Sequence, residues 1–121
     1  IQVSQARQPC WKLNLRFGNP DMSRLVQESA RTGWYYRVLE TGEVAPGAAF
    51  HLLDRPHPDW PLARLLWHLY SDPLNVSALA DMAALSNLSA SWRELARRRL
   101  ASGQIEDWLR RLKTPAIQAR Y

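Results

Sequence analysis

The sequence contains a single cysteine among its 121 residues, so no disulfide can form within the chain. Because structural disulfides belong mainly to oxidising compartments, this scarcity is compatible with a reducing cytoplasm. Long apolar runs are also missing: Arg64 and His68 interrupt the most apolar stretch before it reaches the roughly 18 residues that a transmembrane helix needs. We therefore expect a cytoplasmic protein that does not associate with membranes.

Several catalytic motifs are absent as well. The sequence has no Gly-rich phosphate loop, no serine triad pattern and no recognisable pair of catalytic carboxylates. Its histidines, His51, His57 and His68, lack the spacing of metal ligands, so we interpret all three as structural. The excess of 16 basic over 11 acidic residues gives a net charge of +5, which favours anionic ligands without requiring nucleic acid.

The first half of the chain carries an alternating pattern of apolar and polar residues. This pattern predicts strands at 1–4, 34–39 and 49–53, and a helix follows the turn at 19–21. Trp34 and Tyr36 share one face of the aromatic segment, and we expect that face to pack in the core, with stacking on a nucleic-acid base as the alternative. The chain opens at Ile1 within the first alternating segment, which predicts a fragment or a processed product.

The second half changes to a helical period after a proline-rich linker at 55–59. Apolar stripes predict three helices, one from Pro61 to Asp72, one at 75–85 and one at 91–102, followed by a short segment at 105–112 that buries Trp108. Ser91 and Glu94 fit a capping box at the start of the third helix, and Gly103 suits the residue after its end. The second half is therefore predicted to be a three-helix unit.

Three blocks of sequence resemble the later part of a MOSC domain: residues 5–13 (Q-A-R-Q-P-C-W-K-L), 33–39 (G-W-Y-Y-R-V-L) and 42–44 (G-E-V). Within that family the chain is most similar to the YiiM-like group, in which the barrel precedes a three-helix domain. The resemblance implies an α+β fold: a partial MOSC β-barrel of about three strands and a helix over 1–56, then a three-helix domain with a C-terminal tail over 57–121. The first half of the family's barrel is absent, so we expect the missing strands to come from an N-terminal half-barrel or a second copy of the chain.

The resemblance also implies a function. MOSC proteins of this group bind molybdenum cofactor (molybdopterin), and the cysteine that matches Cys10 is the thiolate ligand of the metal and the catalytic residue. The implied activity is the two-electron reduction of N-hydroxylated compounds, such as N-hydroxylated purine bases, with electrons from an external donor. We expect the isolated fragment to be inactive, and we do not expect pyridoxal phosphate as a cofactor.

The chemistry of Cys10 agrees with a metal role. Molybdenum in a dithiolene cofactor is a soft centre that a thiolate suits, and the flanking cations Arg7 and Lys12 favour the thiolate form. Arg7 and Lys12 would also suit the cofactor's phosphate and pterin. The alternatives stay open: a lone cysteine is often a small buried hydrophobe, and a lone arginine or lysine is often a solvated surface charge.

Arg37 lies inside the aromatic strand and has two interpretations. It is a further candidate for binding the cofactor, and it is equally suited to a structural ion pair with Glu28 or Glu43. Gly33, just before this strand, is expected to adopt a turn conformation that a Cβ atom would block.

The cluster Arg97-Arg98-Arg99 supports a rival hypothesis of a non-enzymatic helical binding module. Two helices at 75–85 and 91–102, joined by a short turn, would have the arrangement of a helix-turn-helix, and the arginines would be available to bind phosphates. Three successive arginines point about 100° apart around a helix, however, so they cannot all face one groove. A solvated charged face explains the cluster without DNA, and we do not expect nucleic acid as a partner.

Overall fold

A computed structural model of the protein describes residues 1–116. Its elements are β1 (Gln2–Ala6), α1 (Lys12–Phe17), α2 (Met22–Ser29), β2 (Trp34–Arg37), α3 (Leu62–Tyr70), α4 (Val76–Ala84), α5 (Ala90–Ser102) and α6 (Leu109–Leu112). The predicted α+β class is therefore confirmed. Among the described residues, no helix has the length and apolar character needed to cross a membrane.

The two strands form a small antiparallel sheet, in which Gln2 lies opposite Arg37 and Ala6 opposite Trp34. The third strand predicted at 49–53 is wrong, because residues 38–61 contain neither helix nor strand. An alternating segment becomes a strand when a neighbour accepts its backbone hydrogen bonds, and within residues 1–116 β1 and β2 pair with each other alone. Leu53 accordingly remains 94% exposed.

The aromatic face of β2 lies at the surface, so the expectation that it packs in the core is wrong. Trp34 and Tyr36 do share a face, with ring centroids 6.3 Å apart in an edge-to-face arrangement. Phe50 stacks on Tyr36 at 6.0 Å, so the predicted third strand contributes an aromatic ring to the sheet surface without pairing with it. These rings contact one another at the surface of the described chain.

The hydrophobic core lies among α3, α4 and α5 and includes one residue of the sheet. Its buried helical and loop members are Leu65, Leu66, Leu69, Leu79, Met82, Leu85, Leu88, Trp92, Leu95 and Ala96. Ala6 of β1 is fully buried against this cluster. The N–H of Ser89, just before α5, donates to the Ser4 carbonyl at 2.9 Å. Strand β1 thus shares the helical core, and the domain boundary between 56 and 57 stays a prediction.

The ends of α5 show one correct and one incorrect prediction. Gly103 ends the helix with a φ of 63°, as predicted. The capping box at Ser91 and Glu94 is wrong, because Ser89 caps the helix: its Oγ accepts the Trp92 N–H at 3.3 Å. Helix α5 therefore begins slightly earlier than predicted, and this start places Ser89 beside strand β1.

Candidate functional site

Cys10 lies in the loop that joins β1 to α1. Its thiol is free and half-buried, and the preceding Pro9 is buried. The Cys10 carbonyl accepts the Leu13 N–H at 3.0 Å, so the loop turns directly into the helix. The proline fixes its own φ, which limits the directions in which the chain enters Cys10.

Arg111 hydrogen-bonds to both peptide groups that flank Cys10. Its Nε donates to the Pro9 carbonyl at 3.0 Å, and its own carbonyl accepts the Trp11 N–H at 2.8 Å. Its Nη2 also donates to the Gln8 carbonyl at 2.9 Å. The backbone on either side of the cysteine is therefore fixed by one residue from the far end of the chain, whose contact with this loop the sequence did not predict.

Helix α1 also was not predicted, and its buried side chain Asn14 explains why it forms. Asn14 Nδ2 donates to the Leu112 carbonyl at 3.0 Å and to Thr114 Oγ1 at 3.3 Å, while Oδ1 accepts the Ser23 N–H at 2.8 Å. These bonds use both donor hydrogens and one of the two oxygen lone pairs of a buried amide.

Arg7 and Lys12 lie on either side of Cys10 along the chain, and both side chains are exposed. The Arg7 N–H donates to the Gly33 carbonyl at 2.9 Å, and its guanidinium lies 5.7 Å from the centre of the Tyr35 ring. Gly33 has a φ of +75°, which confirms its predicted turn conformation. Lys12 is the first residue of α1. Their roles toward a cofactor stay predictions.

Arg37 is not close to Cys10. Its Nη1 donates to Gln2 Oε1 at 2.8 Å, so the predicted ion pair with Glu28 or Glu43 is wrong. Gln2 and Arg37 face each other at the end of the sheet opposite to Ala6, about 13 Å away at roughly 3.3 Å per residue. The structure therefore separates Arg37 from the other candidate residues, and its role toward a cofactor stays a prediction.

Arg99 is buried, contrary to the expectation that the arginine cluster is a solvated face. Its Nη2 and Nε both bond to Glu106 Oε2, at 2.9 and 3.0 Å, and its Nη1 donates to the Leu69 carbonyl at 3.0 Å. Arg97 is exposed and lies 3.5 Å from Glu94. Because Arg99 is buried, its side chain is not available to a nucleic-acid surface built on the whole cluster.

Tyr70 of helix α3 lies near Gln8 of the Cys10 loop. Its hydroxyl is buried, and burial raises the pKa of this phenol, whereas the neighbouring Gln8 side chain and the positive charges of Arg111 and Arg99 lower it. The net direction is upward, so the neutral phenol is favoured in the folded protein. The ring of Trp108 meets Tyr70 edge-on with centroids 5.6 Å apart.

Two family models match the chain. Residues 1–51 match the MOSC domain, and residues 60–103 match the YiiM-like, 3-alpha helix domain. The chain is 36% identical over 114 residues to Protein YiiM of Escherichia coli, a match that covers 93% of this chain and 50% of that protein. It is also 32% identical over 102 residues to a protein of Gibberella moniliformis named "Reductase", covering 84% of this chain and 18% of that protein.

Solved structures show the same likeness. The crystal structure of YiiM from Escherichia coli matches with a TM-score of 0.87 and 34% identity, over 93% of this chain and 56% of that one. YiiM from Geobacillus stearothermophilus matches with a TM-score of 0.77 and 37% identity, over 82% of this chain and 51% of that one. The chain thus spans about half the length of the YiiM proteins that it matches. It belongs to the YiiM-like group of MOSC-domain proteins.

Proposed function

We propose that the whole protein is a molybdenum-cofactor-dependent reductase of N-hydroxylated compounds, such as N-hydroxylated purine bases, with Cys10 as the thiolate ligand. The observation that carries this proposal is the state of Cys10: a free, half-buried thiol in a loop whose flanking peptides are both hydrogen-bonded. The match to the MOSC domain supports the cofactor, and the relative named "Reductase" supports the type of reaction.

The residues of the loop fit such a cofactor. Among residues 1–116 no group of three or more His, Cys, Asp or Glu side chains could hold a bare metal ion. A dithiolene cofactor brings its own sulfur ligands, so one soft thiolate from the protein suffices. The exposed cations Arg7 and Lys12 lie near Cys10 in the chain, where they would bind an anionic phosphate.

When bound, the molybdenum cofactor supplies the two electrons that, with two protons, cleave the N–O bond of the substrate to give an amine and water. Cys10 binds the metal through its thiolate and keeps its orientation because its loop is held on both sides. Arg7 and Lys12 bind the cofactor's phosphate and pterin. Arg37 is proposed as a further cofactor-binding residue, and in the described chain its guanidinium donates to Gln2 at the other end of the sheet. An external donor restores the electrons.

The proposal also includes the part of the protein that completes the sheet. Trp34, Tyr35, Val38 and Leu39 are large apolar side chains that lie exposed on or beside β2. Exposed strand edges and contiguous apolar surface are normally covered in a stable protein. Because this chain spans 50% of the length of Protein YiiM, we assign the covering role to strands of the same protein outside these 121 residues.

Hydrogen exchange tests this cover. In the full-length protein we expect the β2 amides that do not bond to β1 to exchange much more slowly than in the isolated chain, because new strand partners accept their hydrogen bonds. Equal exchange in both would contradict the proposed cover. A stable dimer of the isolated chain with the same amides protected would assign the cover to a second copy instead.

The activity is tested with full-length protein from a host that makes molybdenum cofactor. The assay follows oxidation of a reduced viologen dye in the presence of an N-hydroxylated purine base. We expect Cys10→Ser to abolish the substrate-dependent rate, whereas Ser77→Ala, an exposed change on α4, should keep it. If Cys10→Ser protein remains as active as the Ser77→Ala control, Cys10 is not the ligand.

A further inference from the structure

The segment 108–114, which we name the C-terminal strap, lies against the Cys10 loop. Arg111 of the strap bonds through its side chain to the carbonyls of Gln8 and Pro9 and through its backbone to Trp11. Two side-chain donors and one backbone acceptor of Arg111 therefore bond to three of the four successive residues 8–11 of the loop. Cys10 is the one member of these four whose side chain is a candidate ligand.

The strap is fixed to α1 and α2 as well. The Leu112 carbonyl accepts from Asn14 Nδ2 at 3.0 Å and from Ser23 Oγ at 3.1 Å. Ser23 and Asn14 are themselves joined, since the Ser23 N–H donates to Asn14 Oδ1. Both side chains are buried, so these bonds are protected from competition with water.

The other side of the strap packs on the three-helix part of the protein. Trp108 contacts Tyr70 of α3 edge-on at 5.6 Å, and the Arg99 guanidinium lies 5.8 Å from the centre of the Trp108 ring. Arg99 also holds Glu106, just before the strap. The position of the strap is therefore set by α3 and α5.

We propose that Arg111 is a positioning residue for Cys10, and that the strap lets the three-helix part of the protein set the direction of the thiol. A metal ligand must be held to within about 0.5 Å of its productive position. Within the loop, Pro9 fixes its own φ and the Leu13 N–H bonds to the Cys10 carbonyl, and these contacts restrain the Cys10 torsions only in part. The bonds from Arg111 to the peptides before and after Cys10 restrain those torsions. The consequence for metal binding rests on the proposed function, whereas the effect on the thiol does not.

The geometry requires arginine at this position. The Nε and Nη2 atoms reach two adjacent carbonyls, whereas a lysine ammonium is a single point of charge and cannot reproduce this fork. Arg111→Lys thus keeps the charge near Cys10 and removes the paired contact. The neighbouring Arg110 is exposed, so Arg110→Lys and Arg110→Ala are matched controls.

The test measures the alkylation rate of Cys10 by iodoacetamide in cofactor-free protein. We expect Arg111→Lys and Arg111→Ala to raise this rate about tenfold, because loss of the paired contact lets the loop open locally. Both Arg110 variants should stay within about twofold of the unchanged protein. Alkylation rates in the Arg111 variants that match those of the Arg110 variants would overturn the proposal.

Thermal unfolding of the same proteins separates positioning from general stability. We expect Arg111→Lys to unfold near the midpoint of Arg110→Lys while its cysteine reacts faster. A rate that rises only in step with global unfolding would contradict a positioning role. If Arg111→Ala fails to fold, the comparison of the two lysine variants still decides the matter.

The molybdenum content of full-length Arg111→Lys and Arg110→Lys then tests the consequence for metal binding. We expect about tenfold to a hundredfold weaker retention in Arg111→Lys, the usual effect of disturbing the support of a metal ligand. Equal retention would overturn the link from Arg111 to the metal site. Failure of the proposed function is distinguishable, because molybdenum would then be insensitive to Cys10→Ser while the alkylation difference persisted.

Discussion

Arg99 and Glu106 form an ion pair in which the arginine side chain is fully enclosed and the carboxylate is 31% exposed, with Nη2 and Oε2 2.9 Å apart. The remaining guanidinium nitrogen, Nη1, donates to the carbonyls of Leu69 and Pro73, at 3.0 and 3.3 Å. Burial of this charge is tolerated because its donors are satisfied on several sides. Arg99 thus connects α5 to the end of α3 through the Leu69 carbonyl. Its ion pair with Glu106 fixes the chain just before the C-terminal strap (108–114).

Replacement of Arg99 by methionine should lower the free energy of unfolding by about 2–4 kcal/mol, because the Leu69 and Pro73 carbonyls and Glu106 lose their partner. The same change at the exposed Arg98 should alter it by about 0.5 kcal/mol or less. Urea denaturation of both variants measures the difference. Equal losses at the two positions would show that the Arg99 contacts do not stabilise the fold.

Ser89→Ala should cost about 1 kcal/mol of stability, because Ser89 Oγ is the acceptor that caps α5. Ser91→Ala removes a hydroxyl that lies within the helix and contacts Gln5 at 3.4 Å, so its cost should be smaller. Chemical denaturation of the two alanine variants gives the comparison. A larger loss for Ser91→Ala would restore the capping box that the sequence predicts.

Tyr70 should make stability depend on pH in the alkaline range. Burial raises the pKa of this phenol, so above pH 10 the unfolded chain loses a proton that the folded protein keeps. The stability that Tyr70 contributes is therefore fully present below about pH 10 and is lost as the pH rises through the folded-state pKa. Unfolding measured from about pH 8 to about pH 11 should show a steeper loss for the unchanged protein than for Tyr70→Phe. Parallel curves would contradict this assignment.

The helices of the second half were predictable because their signals are local. The leucine stripe of α3 and the glycine at the end of α5 are patterns within a few residues. Helix α1 was missed because it has six residues and depends on Asn14, whose partners lie on α2 and the strap. The segment 49–53 alternates like a strand, but a strand also needs a neighbour, which local alternation does not reveal.

The candidate site also contains residues that the sequence identifies and residues that it does not. Cys10, Arg7 and Lys12 are close in sequence and form part of a recognisable motif, so they could be identified without a structure. Arg111 reaches Pro9 across 102 residues, and Arg99 bonds to Leu69 across 30, so neither contact leaves a local pattern. Both arginines resemble surface charges in the sequence. Arg99 is buried whereas Arg111 stays exposed, and the roles of both follow from carbonyl groups that carry no sequence signature.

Elemental analysis for molybdenum in the full-length protein, purified from a host that makes the cofactor, tests the role of Cys10 most directly. We expect molybdenum in the unchanged protein and in Ser77→Ala, and its loss in Cys10→Ser, because the serine oxygen is a poor substitute for a soft thiolate. We expect the isolated 121-residue chain to lack it. Molybdenum retained in full by Cys10→Ser, or absent from the unchanged full-length protein, would contradict the assignment of Cys10 as the metal ligand.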